Sequence, residues 1–334
     1  MPFSWSQYNN ENPAVILSPM SGYTDSPFKQ IVRSVSPKTV LMTEFLSVDA
    51  IYYQSDKTFR MMEFAEEETP VILQVFGKEP ERFVHAAKIA EKMGYDGIDI
   101  NMGCPAKKVI RSDHGSALVK IKNRCVAMDI VAAMASSVKI PVSVKTRIGW
   151  DNFDDLIDFS KALERHGCAA LSVHGRTTKQ AYLGKANWDP IYELKKHLSI
   201  PVFGNGDVTS VATFREKLGP LDGVLIGRGS FGDPWIFRDV HEYIDHPEQY
   251  ADMSDEELDT VFPRAGKIDW EFKKPIIHRH AELQVQCHGE ELGMLEIRKH
   301  LAAYIKGIDG ASKVRAKLMQ VKKLEEIKEL VEGL

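Results

Sequence analysis

A thiol in a Gly-Cys-Pro turn, a lysine that closes an apolar run and two glycine-rich strand ends are the groups in this chain that could do chemistry. Cys104 lies in NMGCPAKKV (101–109), where a thiol is held at a loop mouth and not inside a core face. Reducing an activated C=C bond needs a hydride donor on one face and a proton donor at the neighbouring carbon. A cysteine that stays mostly protonated can be that acid. Lys107, Lys108 and Arg111 follow directly, so the same loop could steer a polyanion.

Lys145 ends the run PVSVK. An unpaired buried ammonium is costly, so such a lysine either reaches out to water or meets an anion. A flavin explains it, because a cation beside the N1/O2 edge stabilises the anionic reduced ring. Gln74 could hydrogen-bond the pyrimidine edge of that ring, and Pro19-Met20 could pack beneath it. His174 and Arg176 in HGRT (174–177) add donors near the phosphate or the ring, Arg176 being assigned to the substrate side. A satisfied core histidine is the plainer alternative for His174.

The runs GNGD (204–207) and GRG (227–229) end two successive apolar segments. Backbone N–H groups converging there, with Arg228 beside them, would hold a phosphate. Either pair alone could be an ordinary tight turn; their order on adjacent strands favours the anion site.

These groups need a frame, and the chain supplies one. Eight short apolar runs recur at 14–20, 39–44, 71–76, 97–101, 141–146, 170–175, 201–206 and 223–227. Helical patterns such as Glu81–Met93, Cys125–Val138, Asp154–His166 and Ser210–Leu218 separate them. Runs without alternation imply strands buried on both faces, and eight such units fit a (β/α)₈ TIM barrel. Function in a barrel belongs at the C-terminal ends of the strands, which is where Ser21, Glu44, Gln74, Asn101, Lys145, His174, Asn205-Gly206-Asp207 and Gly227-Arg228 fall.

After about residue 247 the pattern changes to helices, expected over Pro275–His288, Gly293–Ile308 and Ala311–Leu330. The division is therefore a barrel over 1–247 and a small C-terminal helical bundle over 248–334. The chain of 334 residues carries a net charge of −4, yet eight Lys or Arg between Ile297 and Lys323 face Asp309 alone, a local net charge of +7. Arg298, Lys299, Lys306 and Arg315 are the candidate RNA phosphate contacts in that stretch; a solvated helix face is the bland alternative. The four cysteines form no CxxC pair, which argues against zinc, iron–sulfur and disulfide frameworks, and no metal is expected. No apolar run approaches a membrane span and the first residues lack a signal pattern, so a cytoplasmic address is expected.

At these residues the sequence resembles the tRNA-dihydrouridine synthase family, and within it the bacterial B-type branch. The matching segments are SPMSGYTDSPF (18–28), LQVFG (73–77), DINMGCPAKKV (99–109), GSAL (115–118), VKTRIGW (144–150), VHGRTTKQ (173–180), FGNGDV (203–208), IGRGSFGDPWIF (226–237) and IRKHLAAYIKG (297–307). The resemblance implies an FMN-bearing barrel joined to a helical tRNA-recognition domain. NADPH (or NADH) reduces the flavin, hydride passes to C6 of a uridine flipped out of the tRNA D loop, and the cysteine protonates C5. Carried over by position, FMN contacts fall on Pro19, Met20, Ser21, Gln74, Lys145, Asn205, Gly206, Asp207, Gly227 and Arg228, with Asn101 on the uracil edge and Cys104 as the acid. Ser18 and Ser21 stand where alanine is frequent, and Gly204 and Gly229 replace alanine; none of these removes a reacting group. Two rival readings keep parts of this pattern. An FMN enzyme of free pyrimidines does not explain the basic C-terminal stretch, and a tRNA-binding chaperone without chemistry needs neither Lys145 nor Cys104.

Overall fold

The structure is a computed structural model that describes residues 2–307 and 310–333. The eight apolar runs form β1 (Ala14–Leu17), β2 (Val40–Ser47), β3 (Val71–Phe76), β4 (Gly97–Asn101), β5 (Val142–Arg147), β6 (Ala170–His174), β7 (Val202–Asn205) and β8 (Gly223–Ile226). All pair in parallel in chain order, and β8 closes on β1 through Ala14↔Gly223 to Leu17↔Ile226. Closure leaves no open edge, and each strand sits between a helix layer and the barrel interior, which is why the runs lack alternation.

Successive side chains still point to opposite faces. The outward ones, among them Val15, Leu41, Leu73, Ile98, Ile100, Val144 and Val173, join the helices in one large core. The inward ones change character along the barrel axis. Ile16, Met42, Ile72, Phe203 and Leu225 fill the lower half, and Trp5 closes the bottom against Phe203, ring centroids 5.2 Å apart. Above them the pairings Gln74↔Asp99↔Ser143, then Asn101↔Lys145↔Ser172, then Arg147↔His174↔Asn205, stack polar inward rows toward the C-terminal rim. Register alone thus gathers residues up to 131 positions apart, from Gln74 to Asn205, over one opening.

The C-terminal helices follow the expected pattern with three differences. The first helix starts at Trp270, capped by the Asp269 side chain, so Pro275 lies inside it and not at its start. The expected single helix over 311–330 is two, Ala311–Leu318 and Leu324–Glu332. Between them Val321 turns into the core, and its carbonyl accepts from Arg298 Nη2 at 2.8 Å. The expected helix end at Ile308 lies outside the described residues. Finally, Tyr250, Leu258 and Phe262 pack into the barrel's core, while Trp235 joins the core of the C-terminal helices. The acidic stretch after 247 is therefore part of the barrel's outer layer, and the separate helical core begins near Trp270. Among the described residues, no helix is long and apolar enough to cross a membrane.

Candidate functional site

A cavity of about 790 Å³ opens at the C-terminal rim, where seven of the eight strands, or the loops that follow them, contribute to its wall. Ser18 to Ser21 come from the β1 loop and Asn101 to Ala106 from the β4 loop. Lys145 and Arg147 come from β5, His174 from β6, and Asn205 to Thr209 and Gly227 to Gly229 from the last two loops. Polar inward positions end at this opening because a buried polar side chain is tolerated only with partners or a ligand.

Two loops shape its floor. Gly206 has φ of +128°, and a Cβ on it would come within 2.7 Å of the Ala186 methyl. A Cβ on Gly229 would meet the Val208 carbonyl oxygen at 2.2 Å, so the loops after β7 and β8 run backbone against backbone. Only glycine permits that approach, and Gly206, Gly227, Gly229 and the half-exposed Arg228 line the cavity there. This donor set fits a phosphate.

Lys145 donates to Asn205 Oδ1 at 2.9 Å, while the Asn205 amide nitrogen donates to the Leu225 carbonyl at 2.9 Å. Burial, then the nearby Arg147 charge, holds the Lys145 ammonium down at about 8, partly offset by Asp99. Burial pushes His174 far down as well, helped by Lys145, Arg147, Arg176 and Arg228, so its imidazole is neutral. Arg176 Nη1 sits 3.2 Å from His174 Nε2, which places the ring proton on Nδ1. Burial raises the Cys104 thiol above its ordinary value, against the Ala106 N–H and Arg147. At neutral pH this sulfur keeps its proton. Cys168 is buried with its thiol pushed up to about 12, whereas Cys125 and Cys287 are exposed, so of those three Cys168 alone is a small buried hydrophobe.

The Cys104 loop is held from beneath by a polar column. Ser143 Oγ and Gln74 Nε2 donate to the two oxygens of Asp99 at 2.7 and 2.8 Å. Asn101 Nδ2 donates to Gln74 Oε1 at 2.8 Å, and Asn101 Oδ1 accepts from the N–H groups of Gly103 and Cys104 at 3.1 and 2.9 Å. A carboxylate can only accept. Asp99 therefore orients both amides so that an oxygen, not an NH₂, faces the loop. Asp99→Asn removes that polarity and is expected to lower turnover, with roughly 1–3 kcal/mol of stability lost to mismatched buried donors. Burial lifts the Asp99 carboxyl to about 6, against hydrogen bonds from Gln74 and Ser143. The wild type should thus lose activity as pH falls through about 6, a limb that Asp99→Asn should lack; pH–rate profiles of both proteins check this.

Several expected contacts are placed differently. Gln74 is fully buried below the cavity, with its amide engaged by Asp99 and Asn101 and not presented to a ring edge. Arg176, expected on the substrate side, is 3% exposed. Its Nη2 donates to both Asp207 oxygens at 2.8 Å and to the Gly184 carbonyl. Although burial alone would raise the Asp207 carboxyl, the Ala186 N–H and Arg176 hold it below its ordinary value. Arg176 and the Asp207 side chain are thus a clamp between two loops. Arg298 is similarly engaged by Val321. Lys107, Lys108, Lys306 and Arg315 are exposed, and Lys299 pairs with Glu296 while lying 5.6 Å from the Tyr23 ring at the rim.

Two wall residues escaped the sequence reading. Arg147 donates to the Gly103 carbonyl at 2.6 Å and to those of Thr177 and Ala181, which brings the Cys104 loop onto β5. Period-two alternation from Lys145 would have found it. Tyr182 lies 5.6 and 5.3 Å from the Arg147 and Arg228 guanidinium carbons, on a loop that carries no periodic signal.

A sequence model described as Dihydrouridine synthase (Dus) matches residues 16–333. A probable tRNA-dihydrouridine synthase 1 of Synechocystis is 34% identical over 322 residues, covering 95% of this chain and 85% of that protein. A tRNA-dihydrouridine synthase B of Pseudomonas syringae is 35% identical over 305 residues, covering 90% of this chain and 85% of its own. Among solved structures, an old yellow enzyme homologue of Zymomonas mobilis aligns with a TM-score of 0.53 at 13% identity, over 72% of this chain and 91% of its own. A histamine dehydrogenase from Rhizobium aligns with 0.54 at 14%, over 70% and 46%. At such identities these two speak for the barrel fold alone.

Proposed function

The chain belongs to the dihydrouridine synthase family, and on that premise we propose that it reduces a D-loop uridine of tRNA, with FMN seated at the barrel rim, NADPH or NADH as reductant and Cys104 as the proton donor. The observation that carries the reading is the meeting of Lys145 and Cys104 in one cavity: a cation on β5 and a protonated thiol in the loop after β4, beside the glycine loops after β7 and β8. The donor set fits FMN. The loops at Gly206 and Gly227-Arg228 would hold its phosphate, Lys145 and the Nδ1–H of His174 would meet the ring, and Pro19 to Ser21 would cover it. When bound, FMN supplies the hydride for C6 of the base.

The remaining work falls to the chain. Cys104 delivers its proton to C5, and Asn101, ordered by Gln74 and Asp99, fixes the loop from which it does so. Arg147 and Tyr182 close the wall beside the thiol and limit water. The basic helices after Ile297 and the exposed Lys107-Lys108 would meet the polyanion, in the cytoplasm where its substrate is.

The test compares oxidation of the reduced holoenzyme by unmodified tRNA, uracil and orotate. Rapid oxidation by tRNA and little by either free pyrimidine is expected; equal rates would replace the substrate assignment by a free-pyrimidine enzyme. Changing Lys299, Lys306 and Arg315 to alanine together should weaken tRNA binding and flatten its dependence on salt. Because Lys299 is already paired with Glu296, the slope of log K against log salt should fall by roughly two units and not three. A binding titration at several salt concentrations reads this directly, and an unaltered slope would put the RNA on another face.

A further inference from the structure

We propose that Asp25, His280 and His300 form a divalent-cation site, suited to zinc, that fastens the C-terminal helices to the barrel rim. This goes beyond the functional reading above and uses none of the residues assigned to the reaction.

The three side chains come from three elements. Asp25 caps the helix Ser26–Val35, two residues beyond the rim residue Tyr23. His280 lies on the helix Trp270–His288, and His300 lies on Glu290–Tyr304. One ligand atom from each falls within 4.8 Å of the others. Ligands of a tetrahedral ion with bonds of about 2.0–2.1 Å stand roughly 3.4 Å apart, so the atoms must draw in by at most roughly 1.4 Å, which small side-chain rotations supply.

The second observation is what these atoms lack. His280 is fully buried and His300 is 1% exposed, and among the described residues Nε2 of each has no hydrogen-bond partner. Gln284, one helical turn after His280, donates its amide nitrogen to Asp25 Oδ2 at 2.8 Å, while its own Oε1 is buried and unpartnered. Two buried imidazole nitrogens without partners thus stand beside one carboxylate, with an unpartnered amide oxygen on the residue next to it. Buried polar atoms in that number are rarely left unsatisfied, and lone pairs gathered on one point call for a cation.

The surroundings also suit a metal. Tyr304 Oη lies 3.1 Å from His280 Nδ1, the kind of outer partner that orients a metal-bound imidazole. Phe28 stacks on both rings, at centroid distances of 5.7 and 5.0 Å, and excludes water from one side. The charged groups facing the cluster are Glu44, Lys299 with its partner Glu296, and His288, 3.9 Å from Asp25. Two imidazoles and a carboxylate are donors that zinc accepts, three protein ligands leaving a fourth position open. The scattered cysteines gave no hint of this, because the ligands are histidines and an aspartate up to 275 residues apart.

The experiment uses the full chain, expressed with added zinc and analysed for bound metal, and a second sample loaded with Co²⁺. One zinc per chain and a visible tetrahedral Co²⁺ spectrum are expected, both lost in the double variant His280→Gln, His300→Gln. Tyr304→Phe should keep the spectrum and bind the metal 10- to 100-fold more weakly, at order of magnitude. The proposal is overturned if the wild type holds no metal and Co²⁺ leaves no spectrum, if a high-resolution map shows a water bridging the rings, or if the double variant retains the metal. Should the double variant fail to fold, the wild-type metal content and Co²⁺ spectrum still decide.

Discussion

Replacing Cys104 with alanine is expected to reduce dihydrouridine formation by about 10²- to 10⁴-fold, the usual worth of a positioned proton donor, with FMN and tRNA binding retained. The separation follows from where the sulfur sits. It lies on the wall of the cavity, and beyond the Ala106 N–H that faces the thiol, the loop is held by other groups. Loop order comes from Asn101 Oδ1 on the backbone of Gly103 and Cys104, from Arg147 on the Gly103 carbonyl and from Ser116 on the Cys104 carbonyl. None of those contacts uses the thiol. Because burial raises the thiol above its ordinary value, the wild type should show no loss of the acid through neutral pH. Cys104→Ser keeps an O–H at the same place and should recover part of the rate. Counting dihydrouridine in reacted tRNA, alongside flavin absorbance and tRNA affinity, checks both variants against the wild type. Undiminished turnover in the alanine variant would dismiss Cys104 from the mechanism, and a tRNA chaperone would then need no thiol at all.

Lys145→Met should weaken FMN binding by roughly 10- to 100-fold, the worth of a charge-assisted contact to a buried partner, and should also erase a pH dependence. The Lys145 ammonium is held at about 8 in the folded protein against 10.5 ordinarily. Between those values the unfolded chain binds the extra proton and the folded chain does not. Stability of the protein without cofactor therefore rises with pH across that window, since the cost of burying the charge disappears. Affinity for an anionic ligand moves the other way, falling as pH climbs through about 8. Two opposite trends from one group are a distinctive signature. Thermal unfolding and FMN titration across the same pH series read both, and Lys145→Met should flatten both. If the variant keeps either trend, another group is its source.

Much of the frame was legible because it is written in local periodicity. Eight apolar runs without alternation, glycine at the ends of the last two, and polar residues after each run led to a closed parallel barrel with a site at its rim. Strand ends matched within a few residues, since each run is bounded by its own turn chemistry. The break at Val321 and the early start at Trp270 were not legible. Both depend on what lies opposite in the helical core, and Ala311 to Leu330 alone reads as one helix.

What the amino-acid order determined by itself is the set of chemical groups at the rim: Cys104 in its turn, Lys145 at a strand end, the glycine loops and Arg228. These follow from spacing that repeats within a few residues, where chain geometry leaves little choice. What only the folded chain decided is which of those groups are available. Gln74, Arg176, the Asp207 carboxylate and Arg298 satisfy one another or the backbone, and Asp99 orders a column that ends at the thiol. Hydrogen-bond partners are set by barrel register and side-chain packing across tens to hundreds of residues, and no periodicity carries that information. The same reason hid Asp25, His280 and His300 from each other until the helices docked on the rim.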